Sequence, residues 1–355
     1  MIPGLGPRSL SLLLQRFGSA QNVLAARDEQ LGSVNRIGPK LIAAIRHASE
    51  RIDLEAVLDW CNANETRLIF RGCADYPHLL TEIHDAPPLL FCRGTLEIQD
   101  QLSVAIVGTR HATPYGLKQA YRFAQALAQS GVTVVSGLAR GIDAAAHRGT
   151  LEAGGRTIAI LGSGMGQLYP PEHRELSESI AQQGAVISEY GPQAKPRSGM
   201  FPQRNRLISG FSLATFVIEA PERSGALITA RLAMEQNRDV LALPGPITSR
   251  ASRGCNQLIR DGAKLVQSVD DILEELGPLQ SPVTDHHQHQ VRCGSELSLN
   301  ELERQVLDTI SPSGSLIDQV IQRSGLPAHR VIATISVLEL RRLVKRLGGQ
   351  HVVRV

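Results

Sequence analysis

The sequence predicts an α/β protein built on a largely parallel, extended Rossmann-like sheet, with a small helical region on either side of it. Three observations carry that prediction. Six short, apolar, β-rich runs (103–107, 132–135, 157–161, 185–188, 214–218 and 239–242) lie between turns bearing Gly, Ser or Pro. Helix-length stretches at 115–129, 142–153, 173–182 and 226–236 separate them. Strands alternating with helices imply right-handed crossovers and a parallel sheet covered on both faces. The segments before and after this pattern return to helical periodicity.

Residues 1–64 read as a helical domain. The stretch IPGLGPRSLSLLL is an apolar-x-Gly-apolar-Gly turn opening a helix, and VNRIGPKLIAAI at 34–45 echoes it. The pair resembles helix-hairpin-helix or SAM-like domains, whose turn N–H groups hold a DNA backbone without reading sequence. Arg8 and Lys40 sit where phosphates would pass. A small helical domain used only for packing or protein contact accounts for the pattern equally well. The motif begins almost at the first residue, where members of the family named below often carry several more, so the first helix is expected to be truncated.

Residues 65–276 hold the alternating pattern. In such sheets ligands sit beyond the carboxyl ends of the strands. The first strand is followed by GTRHATPYG with Gly108 and Arg110, the second by SGLARGID with Ser136, Gly137 and Arg140, and the third by GSGMG with Gly162, Ser163 and Gly164. Small residues let a backbone approach closely, N–H groups at helix starts favour anions, and arginine forks suit phosphate. Tight turns alone would explain any one of these loops. Three in succession at one sheet edge, two of them with arginine, point to phosphate. A dinucleotide cofactor needs GxGxxG between the first strand and its helix and an acid about 20 residues on. Neither that spacing nor a GxxxxGK[ST] loop is present, so no cofactor is expected.

The stretch KPRSGMFPQRNRLISG extends the phosphate signal. Between residues 190 and 218 there are four basic residues, Lys195, Arg197, Arg204 and Arg206, and no acid. It reads as a basic loop forming a track for a strand. Asn205 offers an amide for a base edge and Phe201 a ring for packing or stacking. Ser224 and Gly225 open a further helix.

Residues 277–297 are rich in Pro, Ser, Gln and His without an apolar period and read as a flexible linker. His286, His287 and His289 within it read as a solvated tract rather than a metal site. Residues 298–355 read as three helices (299–310, 315–324, 328–347) and a two-stranded wing at 348–355, a winged helix. The third helix would carry His329, Arg330, Arg341, Arg342, Lys345 and Arg346 against Glu339 alone. Such a helix enters a major groove in duplex binders, whereas other winged helices bind proteins only.

Together VAIVGTRHATPYG, VVSGLARGIDAAAHRGTLEAGGRTIAILGSGMGQLYP, FPQRNRLISG, EAPERSGALITARLAMEQNRDVLALPG and GCNQLIRDGAKLV resemble the DNA-processing protein A family (DprA, or Smf), in order over nearly all of 70–275. The resemblance implies a non-enzymatic protein that binds and protects incoming single-stranded DNA and loads the recombinase RecA during natural transformation. It implies a homodimer through about 255–266 with the RecA surface nearby. The site it implies comprises Gly108, Arg110, Ser136, Gly137, Arg140, Gly162, Ser163, Gly164, Arg204, Asn205 and Arg206, with Lys195 added from the basic stretch. Related family sites carry lysines near the third loop. Here that neighbourhood reads YPPEHR, leaving His173 or Arg174 as substitutes.

Two rival functions follow from the same residues. Rossmann-like phosphoribohydrolases carry PGGxGTxxE. Here the equivalent stretch is APERSGALIT, no acid falls between 224 and 234, and only Glu219 and Glu222 lie close. The other rival is a duplex-DNA regulator acting through the winged helix.

Composition bounds these readings without deciding them. The 355 residues carry a net charge of +3, so any nucleic-acid site must be local. The five cysteines are scattered without a CxxC pair, which argues against disulfides and structural zinc. No signal-peptide layout and no apolar run of about 20 residues is present, so a cytoplasmic protein without membrane insertion is expected.

Overall fold

The computed structural model describes residues 2, 4–276, 278–284, 290–311, 314–347 and 350–354. The chain opens with six short helices: α1 (Pro7–Phe17), α2 (Ala20–Ala25), α3 (Asp28–Gly32), α4 (Pro39–Arg46), α5 (Ala48–Arg51) and α6 (Leu54–Ala63). α1 and α4 start alike, with Gly6 and Gly38 at the cap and a proline in the first turn, where its missing N–H costs nothing. Leu13, Val23, Leu31, Ile37 and Ile45 form the core of this unit.

A nine-stranded sheet follows. Its strands are β1 (Thr66–Phe70), β2 (Leu89–Gly94), β3 (Ser103–Val107), β4 (Thr133–Ser136), β5 (Thr157–Ile160), β6 (Ala185–Ser188), β7 (Ala214–Val217), β8 (Asp239–Ala242) and β9 (Lys264–Leu265). The spatial order is β1-β2-β6-β5-β4-β3-β7-β8-β9. β1 and β2 pair antiparallel and β2 meets β6 antiparallel; every pair from β6 across to β9 is parallel. Every residue of β3 to β7 is buried, as a sheet covered on both faces requires.

The helices of this region are α7 (His78–Thr81), α8 (Pro114–Gln129), α9 (Ile142–Glu152), α10 (Arg174–Gln183), α11 (Met200–Gly210), α12 (Gly225–Glu235), α13 (Arg253–Arg260) and α14 (Val269–Leu273). Phe123 and Leu127 of α8 and Ile142 of α9 pack on one face, with Phe123 edge-on to Phe216 at 5.0 Å between ring centres. Leu207 of α11, Ala230 of α12 and Cys255 of α13 pack on the other. From β3 the chain winds outward through β4, β5 and β6, then returns through α11 to β7 on the opposite side. The crevice between the carboxyl ends of β3 and β7 is therefore the topological switch point, where open α/β sheets place ligands.

Two expectations fail here. The stretch 195–206, expected as a basic loop, carries the start of α11. Pro202 falls in the first turn, where it is tolerated, and Leu207, Ile208 and Phe211 form a buried stripe. Residues 277–297, expected as a flexible linker, carry β10 (Pro278–Thr284) and β11 (Gln290–Cys293), paired antiparallel. Val291 is fully buried in one cluster with Leu273 and Leu276, and Glu296 is buried in an ion pair with Arg354 at 2.7 Å. His286, His287 and His289 lie outside the described residues.

The last region contains α15 (Glu301–Asp308), β12 (Ser315–Leu316), α16 (Ile317–Ser324), α17 (Ala328–Leu340), β13 (Val344–Leu347) and β14 (His351–Arg354). β12, β14 and β13 form a three-stranded sheet in that order. α17 stops seven residues before the end expected for it, because Leu343 and Val344 turn into the core and Arg342 takes a positive φ of 61°. Lys345 and Arg346 thus belong to the wing. Among the described residues no helix is long and apolar enough to cross a membrane, and no group of three His, Cys, Asp or Glu could hold a metal.

Candidate nucleic-acid interface

A cleft of 770 Å³ opens at the switch point. Gly108, Thr109, Arg110 and His111 after β3, Asp143 at the start of α9, Tyr169, Arg197, Phe201, Arg204 and Asn205 around α11, and Arg223, Ser224, Gly225 and Thr229 around α12 line it. Its charged walls hold four arginines against one carboxylate, Asp143. Low-dielectric walls around one sign of charge focus the field on an anion.

Aromatic and cationic groups alternate along one side. The guanidinium carbon of Arg110 sits 5.1 Å from the Phe201 ring centre, Phe201 is 5.6 Å from Tyr169, and the guanidinium carbon of Arg140 is 5.7 Å from Tyr169. Each ring is held by a cation over its face, and Arg140 also pairs with Glu172. The row of flat groups is suited to stacking of bases.

Arg204 lies deeper, at 3% exposure. Its Nε and Nη1 are sealed from solvent and have no hydrogen-bond partner among the described residues. Burial pushes its pKa down to about 10, and the nearby Asp143 works against that drop. Burial likewise raises the Asp143 carboxyl, against the pull of Arg204 and of the N–H groups of Ala139 and Gly137. Gly137 makes room for the guanidinium: a Cβ there would stand 1.6 Å from Nη1. Gly162 does the same for Phe201, whose ring would lie 2.6 Å from an added Cβ.

Of the residues expected from the sequence, Gly108, Arg110, Arg204 and Asn205 are brought together in the cleft. Arg140 joins through Tyr169, and Lys195 is exposed next to the cleft-lining Pro196 and Arg197. Of the others, Ser136, Gly137, Gly164 and Arg206 have protein partners. The Gly137 N–H donates to Asp143 Oδ2 (3.1 Å), the Gly164 N–H to the Ala194 carbonyl (2.9 Å), and the Ser136 hydroxyl to the Ile106 carbonyl (2.6 Å). These loops are glycine-rich so that protein can pack on protein, not so that Gly137 and Gly164 can offer N–H groups to an anion. Ser163 is buried at 1% exposure, its Oγ without a partner among the described residues. Arg206 faces away from the cleft: it ion-pairs with Glu189 and lies 3.3 Å from Asp85, and its Nη1 donates to the Asp85 carbonyl at 2.9 Å. The expected track through Arg206 is thus replaced by a structural ion pair. His173 is buried, with Nδ1 2.9 Å from the Leu138 carbonyl, so it is no substitute for a surface lysine.

Sequence reasoning left out Tyr169, Arg223 and Asp143. Tyr169 was readable only as part of a Tyr-Pro-Pro turn, and Asp143 as an ordinary first-turn acid. Arg223 lay in plain view before Ser224 in a helix-start motif. Ser224 caps α12 by accepting from the Ala226 N–H at 3.3 Å. Glu219, the acid considered for a hydrolase, is 2% exposed. It accepts from the Thr113 N–H at 2.9 Å and the Thr113 hydroxyl at 2.5 Å, so both its oxygens secure the start of α8.

Comparison with known proteins adds to this geometry. Residues 67–277 match the family model described as DNA recombination-mediator protein A, and residues 294–350 match the DprA winged helix domain. A Smf protein from Synechocystis is 40% identical over 385 aligned positions, covering 99% of this chain and 96% of the relative. The DNA processing protein DprA from Streptococcus pneumoniae is 46% identical over 200, covering 56% and 71%. The crystal structure of DprA from Streptococcus pneumoniae superposes with a TM-score of 0.66 at 36% identity, covering 76% of this chain and 93% of that one. A structure of DNA processing protein A from Helicobacter pylori, described for its single-stranded DNA binding mode, superposes with a TM-score of 0.53 at 30% identity, covering 59% and 94%.

Proposed function

The chain belongs to the DNA recombination-mediator protein A family, and from that premise we propose that its cleft binds single-stranded DNA and that the protein delivers the strand to RecA. The observation that carries the reading is the cluster of four arginines around Phe201 and Tyr169 at the switch point of the sheet. Phosphates would engage Arg110, Arg197 and Arg223, while unpaired bases stack along the aromatic row. Such binding is salt-sensitive and largely blind to sequence. The Helicobacter pylori relative, described for single-strand binding, supports the assignment.

Gly108, Arg110, Arg140, Lys195, Arg204 and Asn205 are the residues of this site that we carry forward. Protection of incoming strands, RecA loading in natural transformation, a cytoplasmic location and a homodimer through 255–266 complete the proposal, on the strength of the family. The protein acts without catalysis in this reading: Glu219, the acid nearest to a hydrolase pattern, is committed to Thr113. The duplex-regulator reading has less support, because α17 exposes Ile332, Val337 and Leu340 beside His329 and Arg330, and Arg346 is paired with Glu339.

The test is an electrophoretic shift with oligothymidylate beside a melting curve for Arg110→Ala. The expected result is weaker binding with unchanged melting. Unchanged affinity would make the cleft arginines mere surface, and robust nucleotide hydrolysis abolished by Glu219→Ala would replace binding with catalysis.

A further inference from the structure

The cations of the cleft stand at two depths. Arg110, Arg197 and Arg223 are exposed at the rim, while Arg204 is buried at the floor. A strand passing along the rim meets the first three without entering. Arg204 lies below them, its guanidinium against Gly137 and its Nε and Nη1 without a hydrogen-bond partner among the described residues. Asp143 acts on it only through space, because its carboxylate Oδ2 accepts from the N–H groups of Gly137 and Ala139 at 3.1 and 3.3 Å. A buried guanidinium with five donors and no acceptor is a costly arrangement, and it calls for an anion that comes from outside.

The shape of the site selects the kind of anion. An internal phosphodiester carries one charge and two ester arms, and both arms would have to climb back past Phe201 and the rim. A terminal phosphate monoester has one arm, three terminal oxygens and a charge approaching −2 near neutral pH. It can descend end-on while the first bases stack beside Phe201. Resting on the reading of the cleft as a single-strand site, we propose that Arg204 seats a terminal phosphate monoester, so that the protein takes hold of a strand by its phosphorylated end.

Competition against an internally labelled oligothymidylate tests this with the full-length protein. The competitors are strands of one length bearing a 5′-phosphate, a 3′-phosphate or hydroxyls at both ends, a circular strand, thymidine and thymidine 5′-monophosphate. The expected result is that one phosphorylated end competes about tenfold better than the hydroxyl-ended strand, the scale of one charge-assisted contact. Arg204→Lys, which keeps the charge and loses the planar fork, should erase that advantage, so that phosphorylated and hydroxyl-ended strands compete alike. If Arg204→Lys does not fold, the wild-type comparison of ends still decides. Equal competition by phosphorylated, hydroxyl-ended and circular strands overturns the end seat and leaves single-strand binding standing. Thymidine monophosphate competing as well as the phosphorylated strand would make the ligand a free nucleotide and overturn the strand-end proposal. Failure of every strand to bind overturns the underlying reading instead.

Discussion

Arg204 and Arg206 stand two residues apart on α11, and Arg206→Ala is expected to cost stability while sparing the DNA site. Arg206 is 4% exposed and faces Glu189, which is equally enclosed, with Asp85 on its other side. Burial pushes the Glu189 carboxyl up, and Arg206 supplies the largest opposing pull. Removing the arginine leaves a buried carboxylate without its cation, which costs about 3–5 kcal/mol in comparable sites. At roughly 2–4 °C per kcal/mol for a domain of 150–250 residues, the melting temperature should fall by about 6–20 °C. The carboxylate can escape the penalty by taking a proton. The loss should therefore shrink as pH drops from 7.5 towards 5, and Arg206→Met with Glu189→Gln should recover part of it. Chemical denaturation across that pH range measures the loss, and fluorescence anisotropy with oligothymidylate measures the site. A variant that melts like the wild type but binds DNA tenfold more weakly would refute the structural assignment of Arg206 and restore it to the strand path.

Further expectations follow from other contacts. Arg110→Ala should lower single-strand affinity uniformly across sequences and reduce the slope of log K against log salt by about 0.7, as loss of one phosphate contact on a single strand does; a salt titration reads this directly. Gly162→Ala should displace Phe201, whose ring would lie 2.6 Å from the new Cβ, and weaken binding by the roughly 1–3 kcal/mol of one base–aromatic stack. His147 is fully buried, and desolvation lowers its pKa from 6.5 to about 3. The unfolded chain takes up its proton below about pH 6.5 and the folded chain does not. Stability therefore holds above that pH and falls by roughly 1.4 kcal/mol per pH unit below it. Denaturation of His147→Gln should show a shallower decline between pH 6.5 and 4.5, and an unchanged slope would count against the assignment. Glu219→Ala should destabilise by about 1–3 kcal/mol through the stranded Thr113 donors, visible as a lower melting temperature, with no nucleotide turnover in either protein.

How much of this was legible follows from where each signal lives. The six core strands were readable because each is a short apolar run buried on both faces, which leaves little choice of residue. β1 and β9 were harder, since they are edge strands with exposed residues, and β2, though buried at Leu90, Phe91 and Cys92, pairs antiparallel outside the strand-helix alternation. α11 was hidden by Gly199, Pro202 and its arginines, although Leu207, Ile208 and Phe211 carried a helical stripe. The glycine loops stand at the strand ends expected for them, and Gly137 and Gly162 leave room there for Arg204 and Phe201. A sequence shows that a Cβ is missing but not whether a ligand or Arg204 fills the space. Arg204 and Arg206 looked alike for a related reason: on a helix, two positions apart means nearly opposite faces, and that separation appears only once the helix itself is recognised.

The packed hairpin between the sheet and the last domain changes how far that domain can range. A structureless segment of 21 residues would behave as a spring with a mean reach of about 25 Å. With Val291 buried in the core of the sheet domain and Glu296 gripped by Arg354, the free leash shrinks to the few residues between them. The winged helix then begins within a few residues of the core of the sheet domain. Val291→Ala would strip cover from Leu273 and Leu276, an effect on the core of the sheet domain rather than on the distance between two independent binding units.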